Sequence, residues 1–230
     1  MWGELAETID RFGEDDSVRV VEMRGEGGEA FVSGADISQF SRSEGRQTSR
    51  QLDRGGGNAF GRMLALEKPL VAMVDGYCIG GGLAIALCAD LRYAASNATF
   101  GIPAAKLGVG YGLEGIETLV SAVGLSSAKE ILYTARRYSA SEARAMGLVN
   151  RVVDSDQLRS VVDDIAAEIA GNAPLTVRSV KILAQQLQRE QGLRDQDRID
   201  AALAACFDSE DFSEGVKAFM EKRPPAFKGR

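Results

Sequence analysis

The feature that most restricts the fold is the apolar run Leu70–Val74, which is followed shortly by three consecutive glycines at positions 80–82. A strand with apolar side chains on both faces has to be covered on both faces, as parallel strands are in α/β proteins. The glycines lead directly into a second apolar stretch, 83–87, that we interpret as a helix. The sequence therefore predicts a buried strand, a tight turn and a buried helix within an α/β fold.

Strand and helix patterns alternate over residues 1–153, whereas from residue 154 to about residue 221 only helical periodicity is found. We therefore predict an α/β core at 1–153 and an all-helical, oligomerising C-terminal segment at 154–230. Apolar residues at three- and four-residue spacing indicate an opening helix, and Ser139–Glu142 has the spacing of a capping box. Further strands are expected at 18–23, 30–32, 91–93, 99–101 and 148–153, helices at 113–123 and 128–134, and an irregular loop at 103–112.

Composition excludes several classes of function. The 230 residues include no histidine, which excludes a Ser-His-Asp triad and an HExxH zinc site. The three cysteines (Cys78, Cys88, Cys206) lie in apolar stretches, as reduced packing residues of a cytoplasmic protein do, so we expect neither a disulfide nor a metal site. A net charge of −6 argues against nucleic acid as a partner. The longest apolar run, 79–89, is too short to span a bilayer, and no signal peptide is recognisable at the start.

Two glycine-rich segments suggest ligand sites. The glycines at 80–82 open a helix, whose unpaired N–H groups suit an anion or oxyanion, although a tight strand-to-helix turn would use the same residues. They do not form a Walker A loop, because no lysine follows. The segment 110–115 matches GxGxxG, but it has no clean strand before it and no acidic residue about 20 positions later. A nucleotide-dependent oxidoreductase is thus a weaker alternative.

Four ordered segments, 30–37, 75–82, 100–103 and 218–224, together resemble the enoyl-CoA hydratase/isomerase (crotonase) superfamily. The resemblance implies the crotonase (ClpP/crotonase-like) fold, an α/β spiral of repeated ββα units with an all-helical C-terminal segment. It also implies an acyl-CoA substrate with no separate cofactor, and a homotrimer or dimer of trimers. Related proteins place a β-hairpin before the helix with which this chain opens, so we expect that hairpin to be missing here.

The resemblance also implies which residues form the site. The backbone N–H groups of Ala35 and Gly81 match the oxyanion hole, which binds the thioester oxygen as an enolate forms. The matching substrate-binding residues form a second group. They are Ala35, Asp36, Ile37, Ser38, Gly80, Gly81, and the tail residues Phe219 and Lys222, which match positions that reach the CoA of a neighbouring subunit.

The chain departs from the family at two positions where hydratases carry glutamates. Ala84 and Ala104 stand there and cannot transfer protons, although the resemblance implies that both line the substrate site. The loop that contains Tyr111 resembles the corresponding loop of methylmalonyl-CoA decarboxylases, which has a tyrosine at the same place. If this chain is such a decarboxylase, Tyr111 would orient the leaving carboxylate. Glu114 and Glu117 share a helix face and could supply a base or simply favour the positive helix end. Three functions stay open: a hydratase or isomerase, a malonyl-type decarboxylase, and a catalytically silent CoA-binding protein.

Overall fold

The structure is a computed structural model and describes residues 2–34 and 59–230. Within these ranges the strands are β1 (Val21–Arg24), β2 (Ala30–Val32), β3 (Leu70–Val74), β4 (Tyr77–Ile79), β5 (Leu91–Ala95), β6 (Thr99–Gly101), β7 (Tyr138–Ser139) and β8 (Arg151–Val153). The α-helices are α1 (Trp2–Glu14), α2 (59–65), α3 (Gly81–Cys88), α4 (Ala104–Leu107), α5 (Leu113–Thr134), α6 (Ala140–Ala145), α7 (Leu158–Gly171), α8 (Pro174–Leu187), α9 (Gln196–Phe207) and α10 (Glu210–Glu221), with a 3₁₀ turn at Gln191–Leu193.

The eight described strands form two four-stranded sheets. The first sheet is parallel throughout and has the order β1-β3-β5-β8. The second has the order β2-β4-β6-β7, in which β7 alone pairs antiparallel to its neighbour. Three successive strand pairs, β1–β2, β3–β4 and β5–β6, each place one strand in the first sheet and the next strand in the second, and the second and third pairs lead into the helices α3 and α4. This is the repeated ββα arrangement that the resemblance implies.

The central strand β3 confirms the strongest expectation from the sequence. All five of its residues are buried. Its two faces belong to different apolar clusters, because Leu70, Ala72 and Val74 pack into the main core with α3, while Val71 and Met73 pack under α7. A strand covered in this way needs no polar face, which explains its unbroken apolar sequence.

Several local predictions hold and others are wrong. The opening helix and the capping box are confirmed: the Ser139 hydroxyl accepts from the backbone N–H of Glu142, whose carboxylate accepts from the N–H of Ser139. Strands β4 and β7 were not predicted, since runs of three and two residues carry little periodicity. The loop expected at 103–112 contains the short helix α4. The two helices predicted on either side of Gly124 are two arms of α5, broken where Gly124 adopts φ 75°.

After β8 every described element is helical. Helix α7 packs on the first sheet through Leu158 and Val162, so the helical part is in direct contact with the α/β core. Lys181 of α8 reaches into that core, where its ammonium group donates to the Lys68 carbonyl and to the Asp90 carboxylate, each at 2.8 Å. The division at residue 153 stays a prediction.

Candidate active site

The chain reverses sharply where β4 meets α3. The N–H of Gly80 donates to the carbonyl of Gly101 at the end of β6 (2.8 Å), and the carbonyl of Gly80 accepts from the N–H of Ala84 (3.2 Å). Gly80 has φ 58°, a value that side chains rarely allow, so a glycine is required at this turn. The turn therefore fixes the start of α3 beside the ends of β4 and β6.

The next two glycines have different roles. A Cβ on Gly82 would stand 2.1 Å from the carbonyl oxygen of Val32, so only glycine lets α3 approach the end of β2 this closely. A Cβ on Gly81 would meet nothing within 4 Å. Gly81 is the first residue of α3, and its N–H finds no backbone acceptor among the described residues. An N–H at the positive end of a helix would stabilise a negatively charged oxygen bound to it.

The segment that would supply the second oxyanion donor is described only as far as Gly34. Gly34 has φ 114°, and its position lies beside the carbonyl oxygen of Ile79, immediately before the turn at Gly80. The predicted site residues Ala35, Asp36, Ile37 and Ser38 lie outside the described residues.

Ala84 and Ala104, for which the resemblance implies glutamates in hydratases, lie close to this turn. Ala84 is one helical turn beyond Gly81, and these two residues are the partly exposed ones in α3, while the rest of the helix is buried. Pro103 comes within 3.9 Å of the Cβ position of Gly80, which places Ala104, the first residue of α4, near the same turn. Two methyl groups, which cannot transfer protons, therefore lie beside the turn.

Tyr111 lies in the loop between α4 and α5 and packs against the main core. Its hydroxyl oxygen is buried and has no hydrogen-bond partner among the described residues. Burial, with a smaller effect of the nearby Cys88, raises the pKa of Tyr111 to about 12. At neutral pH the side chain is therefore an uncharged phenol with a free hydrogen-bond donor in apolar surroundings.

Comparison with known proteins gives this geometry its context. The family model described as enoyl-CoA hydratase/isomerase matches residues 1–230. The chain belongs to the enoyl-CoA hydratase/isomerase family. A crotonyl-CoA hydratase from Syntrophomonas wolfei is 37% identical over 224 residues, which cover 97% of this chain and 86% of the relative. A short-chain-enoyl-CoA hydratase from Clostridium acetobutylicum is 38% identical over 235 residues, which cover 99% of this chain and 87% of the relative.

A solved structure shows the same fold. The enoyl-CoA hydratase/carnithine racemase from Magnetospirillum magneticum superposes with a TM-score of 0.94 at 34% identity, covering 100% of this chain and 86% of that chain. The crotonase fold predicted from the sequence is thus confirmed, and so is an enzyme of the hydratase/isomerase type. The oxidoreductase alternative fails on geometry as well, because the GxGxxG-like run follows α4 rather than a strand.

The remaining predicted residues of this hydratase/isomerase chain lie outside that turn. Glu114 and Glu117 are exposed in the first two turns of α5. Phe219 is 83% exposed near the end of α10, and Lys222 caps that helix with φ 55°. In the described residues no group of three or more metal-binding side chains comes together, and no helix there is long and apolar enough to cross a membrane.

Cys88 and Gly115 compare differently with what the sequence indicated. Cys88 was interpreted as a packing residue, and it is buried in the main core. Gly115 was interpreted as part of a chance motif, yet a Cβ there would stand 2.7 Å from the Tyr111 ring. The short separation between Tyr111 and Gly115 where α5 begins was the available signal, because a side chain just before the N-cap often packs on the first turns of the helix.

Proposed function

We propose that the chain converts acyl-CoA thioesters by stabilising a thioester enolate with the backbone N–H groups of Gly81 and Ala35. The observation that carries the proposal is the N–H of Gly81, which opens an apolar helix and has no backbone acceptor among the described residues. A thioester carbonyl oxygen gains negative charge when an enolate forms, and a donor already in place there stabilises the transition state more than the ground state. One such donor typically contributes about 3–4 kcal/mol.

The named relatives support a reaction of the enoyl-CoA hydratase or isomerase type on this chain. Addition of water to an enoyl thioester needs a proton donor and a base, and neither Ala84 nor Ala104 can act as one. We therefore propose that any hydration here uses a different group, with the exposed Glu114 the first to test.

Decarboxylation of a malonyl-type thioester is the second candidate, and it is favoured by the Tyr111 hydroxyl, which has no hydrogen-bond partner in the described part of the chain. Loss of CO₂ leaves the electron pair of the broken C–C bond in the enolate, which the oxyanion hole stabilises. This step needs no general base, so it is compatible with alanine at positions 84 and 104. Tyr111 would hold the departing carboxylate by a hydrogen bond before the bond breaks.

The proposal also covers the cofactor, the location and the oligomeric state of the enzyme. CoA is part of the substrate, and no other cofactor or metal is required. The protein would act in the cytoplasm as a homotrimer or a dimer of trimers, with Phe219 and Lys222 reaching the CoA bound by a neighbouring subunit.

Mass spectrometry of crotonyl-CoA and methylmalonyl-CoA after separate incubations with the purified protein tests the proposal. Addition of water to crotonyl-CoA would support hydration, and loss of CO₂ from methylmalonyl-CoA would support decarboxylation. If both thioesters return unchanged, the double variant Ala84→Glu/Ala104→Glu separates the remaining cases. Hydration gained by this variant would show an intact pocket in a silent CoA-binding protein, whereas no gain and no CoA binding would contradict the proposal.

A further inference from the structure

The end of β6 supports the glycine turn that precedes Gly81. The carbonyl of Gly101, the last residue of β6, accepts from the N–H of Gly80 at 2.8 Å. Gly101 is also paired with Ile79 in the register of β4 and β6. A displacement of Gly101 would therefore displace Gly80 and, with it, the N–H of Gly81. Such a shift matters for catalysis, because a misplacement of about 1 Å can cost about 10²-fold in rate.

Gly101 also lies against the segment 135–137, which joins α5 to β7. A Cβ on Gly101 would stand 2.9 Å from the carbonyl oxygen of Arg136 and 3.7 Å from Cα of Arg137. Real Cβ atoms essentially never come as close as the first of these distances, so this packing requires a glycine. Gly101 thus touches both the turn at Gly80 and the segment 135–137, and the position of the one depends on that of the other.

The side chain of Arg136 holds this segment in place. Its guanidinium group donates to the carboxylates of Glu142 (2.8 Å) and Glu130 (3.3 Å), and it lies 3.8 Å from the ring centroid of Tyr138. It also donates to the carbonyl of Arg137 (3.3 Å). Glu130 belongs to α5, Tyr138 to β7 and Glu142 to α6. One side chain therefore joins the three elements around the segment.

The backbone of the segment depends on such contacts. Ala135 has φ 46°, and in the described part of the chain it is one of two non-glycine residues with positive φ. A side chain disfavours this left-handed conformation, which persists where the surroundings impose it. An isolated surface ion pair contributes little, whereas a guanidinium shared by two carboxylates and an aromatic ring forms a network that can fix a geometry.

We propose that Arg136 and Gly101 are positioning residues for the oxyanion donor at Gly81. Arg136 fixes the segment 135–137, the segment fixes Gly101, and the carbonyl of Gly101 fixes the turn at Gly80. Neither residue needs to touch the substrate. The inference rests on the proposed function, because the donor that it concerns is the N–H of Gly81. It extends the site to a surface arginine that lies outside the four segments that resemble the family.

Hydrogen exchange of the full chain tests the structural part of the proposal, because it follows the Gly80 N–H directly. Mass spectrometry with fragmentation to single residues would measure it. Arg136→Gln should speed exchange at Gly80 about threefold to tenfold, since local opening of the hydrogen bond to Gly101 exposes this N–H. Gly101→Ala should speed it as well, because the added methyl group and the Arg136 carbonyl must separate.

Two matched controls make the same changes elsewhere. Arg159→Gln removes a surface arginine that pairs with Asp163 on α7 (2.8 Å), and Gly171→Ala adds a methyl group where no atom lies within 4 Å. Both should leave exchange at Gly80 as in the wild type, whatever they do to the melting temperature. Unchanged exchange at Gly80 in Arg136→Gln, or exchange that rises equally along the whole chain, would overturn the proposal.

Turnover of the thioester identified by mass spectrometry supplies the second readout. Arg136→Gln and Gly101→Ala should each lower kcat about tenfold and change KM less than about twofold, since a misplaced oxyanion donor weakens binding of the transition state more than that of the substrate. The double variant should lose less than the product of the two single losses, because both changes act through the same carbonyl.

Unchanged kcat in both single variants, or a double variant whose loss equals the product of the single losses, would contradict the shared path. If the wild type converts neither thioester, the proposed function fails. The exchange at Gly80 then still decides whether Arg136 fixes the turn, so the two failures can be told apart.

Discussion

At the scale of single residues, the proposed chemistry depends on a backbone atom, so ordinary side-chain replacement does not test it. Proline at position 81 would remove the N–H while retaining a helical φ, and the first position of a helix accepts proline. We expect Gly81→Pro to fold and to lower turnover by about 10²–10³-fold, the typical effect of losing one oxyanion donor. Circular dichroism would check the fold, and steady-state kinetics on the thioester identified by mass spectrometry would measure the loss.

Gly81→Ala is the matched control. It keeps the N–H and adds a methyl group where no atom lies within 4 Å, so the loss should be much smaller than in Gly81→Pro. If alanine and proline reduce turnover equally, the space beside Gly81 matters and its N–H does not, which contradicts the proposed oxyanion donor.

How much of the site follows from sequence also differs residue by residue. The glycines at 80–82 and the alanine at position 84 could be placed at a strand-to-helix turn, because those residues are neighbours in the chain. The packing of Tyr111 against the main core could not, because it depends on contacts between parts of the chain that are distant in sequence. For the same reason the free hydroxyl of Tyr111 becomes visible only in the structure.

At the scale of elements, predictability depends on length and capping. β3 was predicted at its observed bounds because five apolar residues in a row allow few alternatives. The start of α6 was predicted because its capping box is formed by residues that are close in sequence. β4 and β7 are set by pairing with β6, which is distant from both in sequence. Neither short strand has a periodic pattern of its own from which it could be predicted. The break in α5 was signalled by a single glycine, Gly124, which separates two periodic runs.

The C-terminal tail is an element whose stability should depend on pH. The Glu214 carboxylate accepts from both terminal nitrogens of Arg223 (2.6 and 2.9 Å) and from the N–H of Ala226 (2.8 Å). The hydrogen bonds from Arg223 first, and from Ala226 second, lower the pKa of Glu214 to about 2. Because the pKa is depressed in the folded tail, this stabilisation is present above pH 4.5 and is lost as the pH falls toward 2.

We therefore expect Glu214→Gln to speed hydrogen exchange at Ala226 at neutral pH, as measured by mass spectrometry of the C-terminal peptide. Glu221→Gln serves as the control, since Glu221 also pairs with Arg223 (2.7 Å) but receives no backbone N–H from the tail. Protection of the tail in Glu214→Gln equal to that of the wild type would show that Asp211, which accepts from the N–H groups of Lys228 and Gly229, suffices to hold it.

At the scale of the whole molecule, the C-terminal helices leave apolar side chains uncovered. Phe207 and Phe212 meet edge to face with 65% and 49% of their surfaces exposed. Val216, Phe219 and Met220 follow on α10, exposed by 52%, 83% and 76%. Soluble monomers rarely expose large contiguous apolar patches. Association of copies through α9 and α10 would cover this surface, which is the physical basis for the proposed trimer or dimer of trimers.

Light scattering coupled to size exclusion should accordingly give a mass of three or six times 24.6 kDa for the wild type. Val216→Glu places a charge in the uncovered apolar face and should shift the protein to lower mass, because an unpaired charge buried at an interface is strongly unfavourable. Lys129→Glu, a charge change at an exposed position of α5, should leave the mass unchanged. If Phe219 and Lys222 reach a neighbour's CoA, dissociation must also weaken thioester binding, so mass and affinity should fall together in Val216→Glu. A wild type that runs at 24.6 kDa and binds thioesters normally would contradict both the assembly and this shared site.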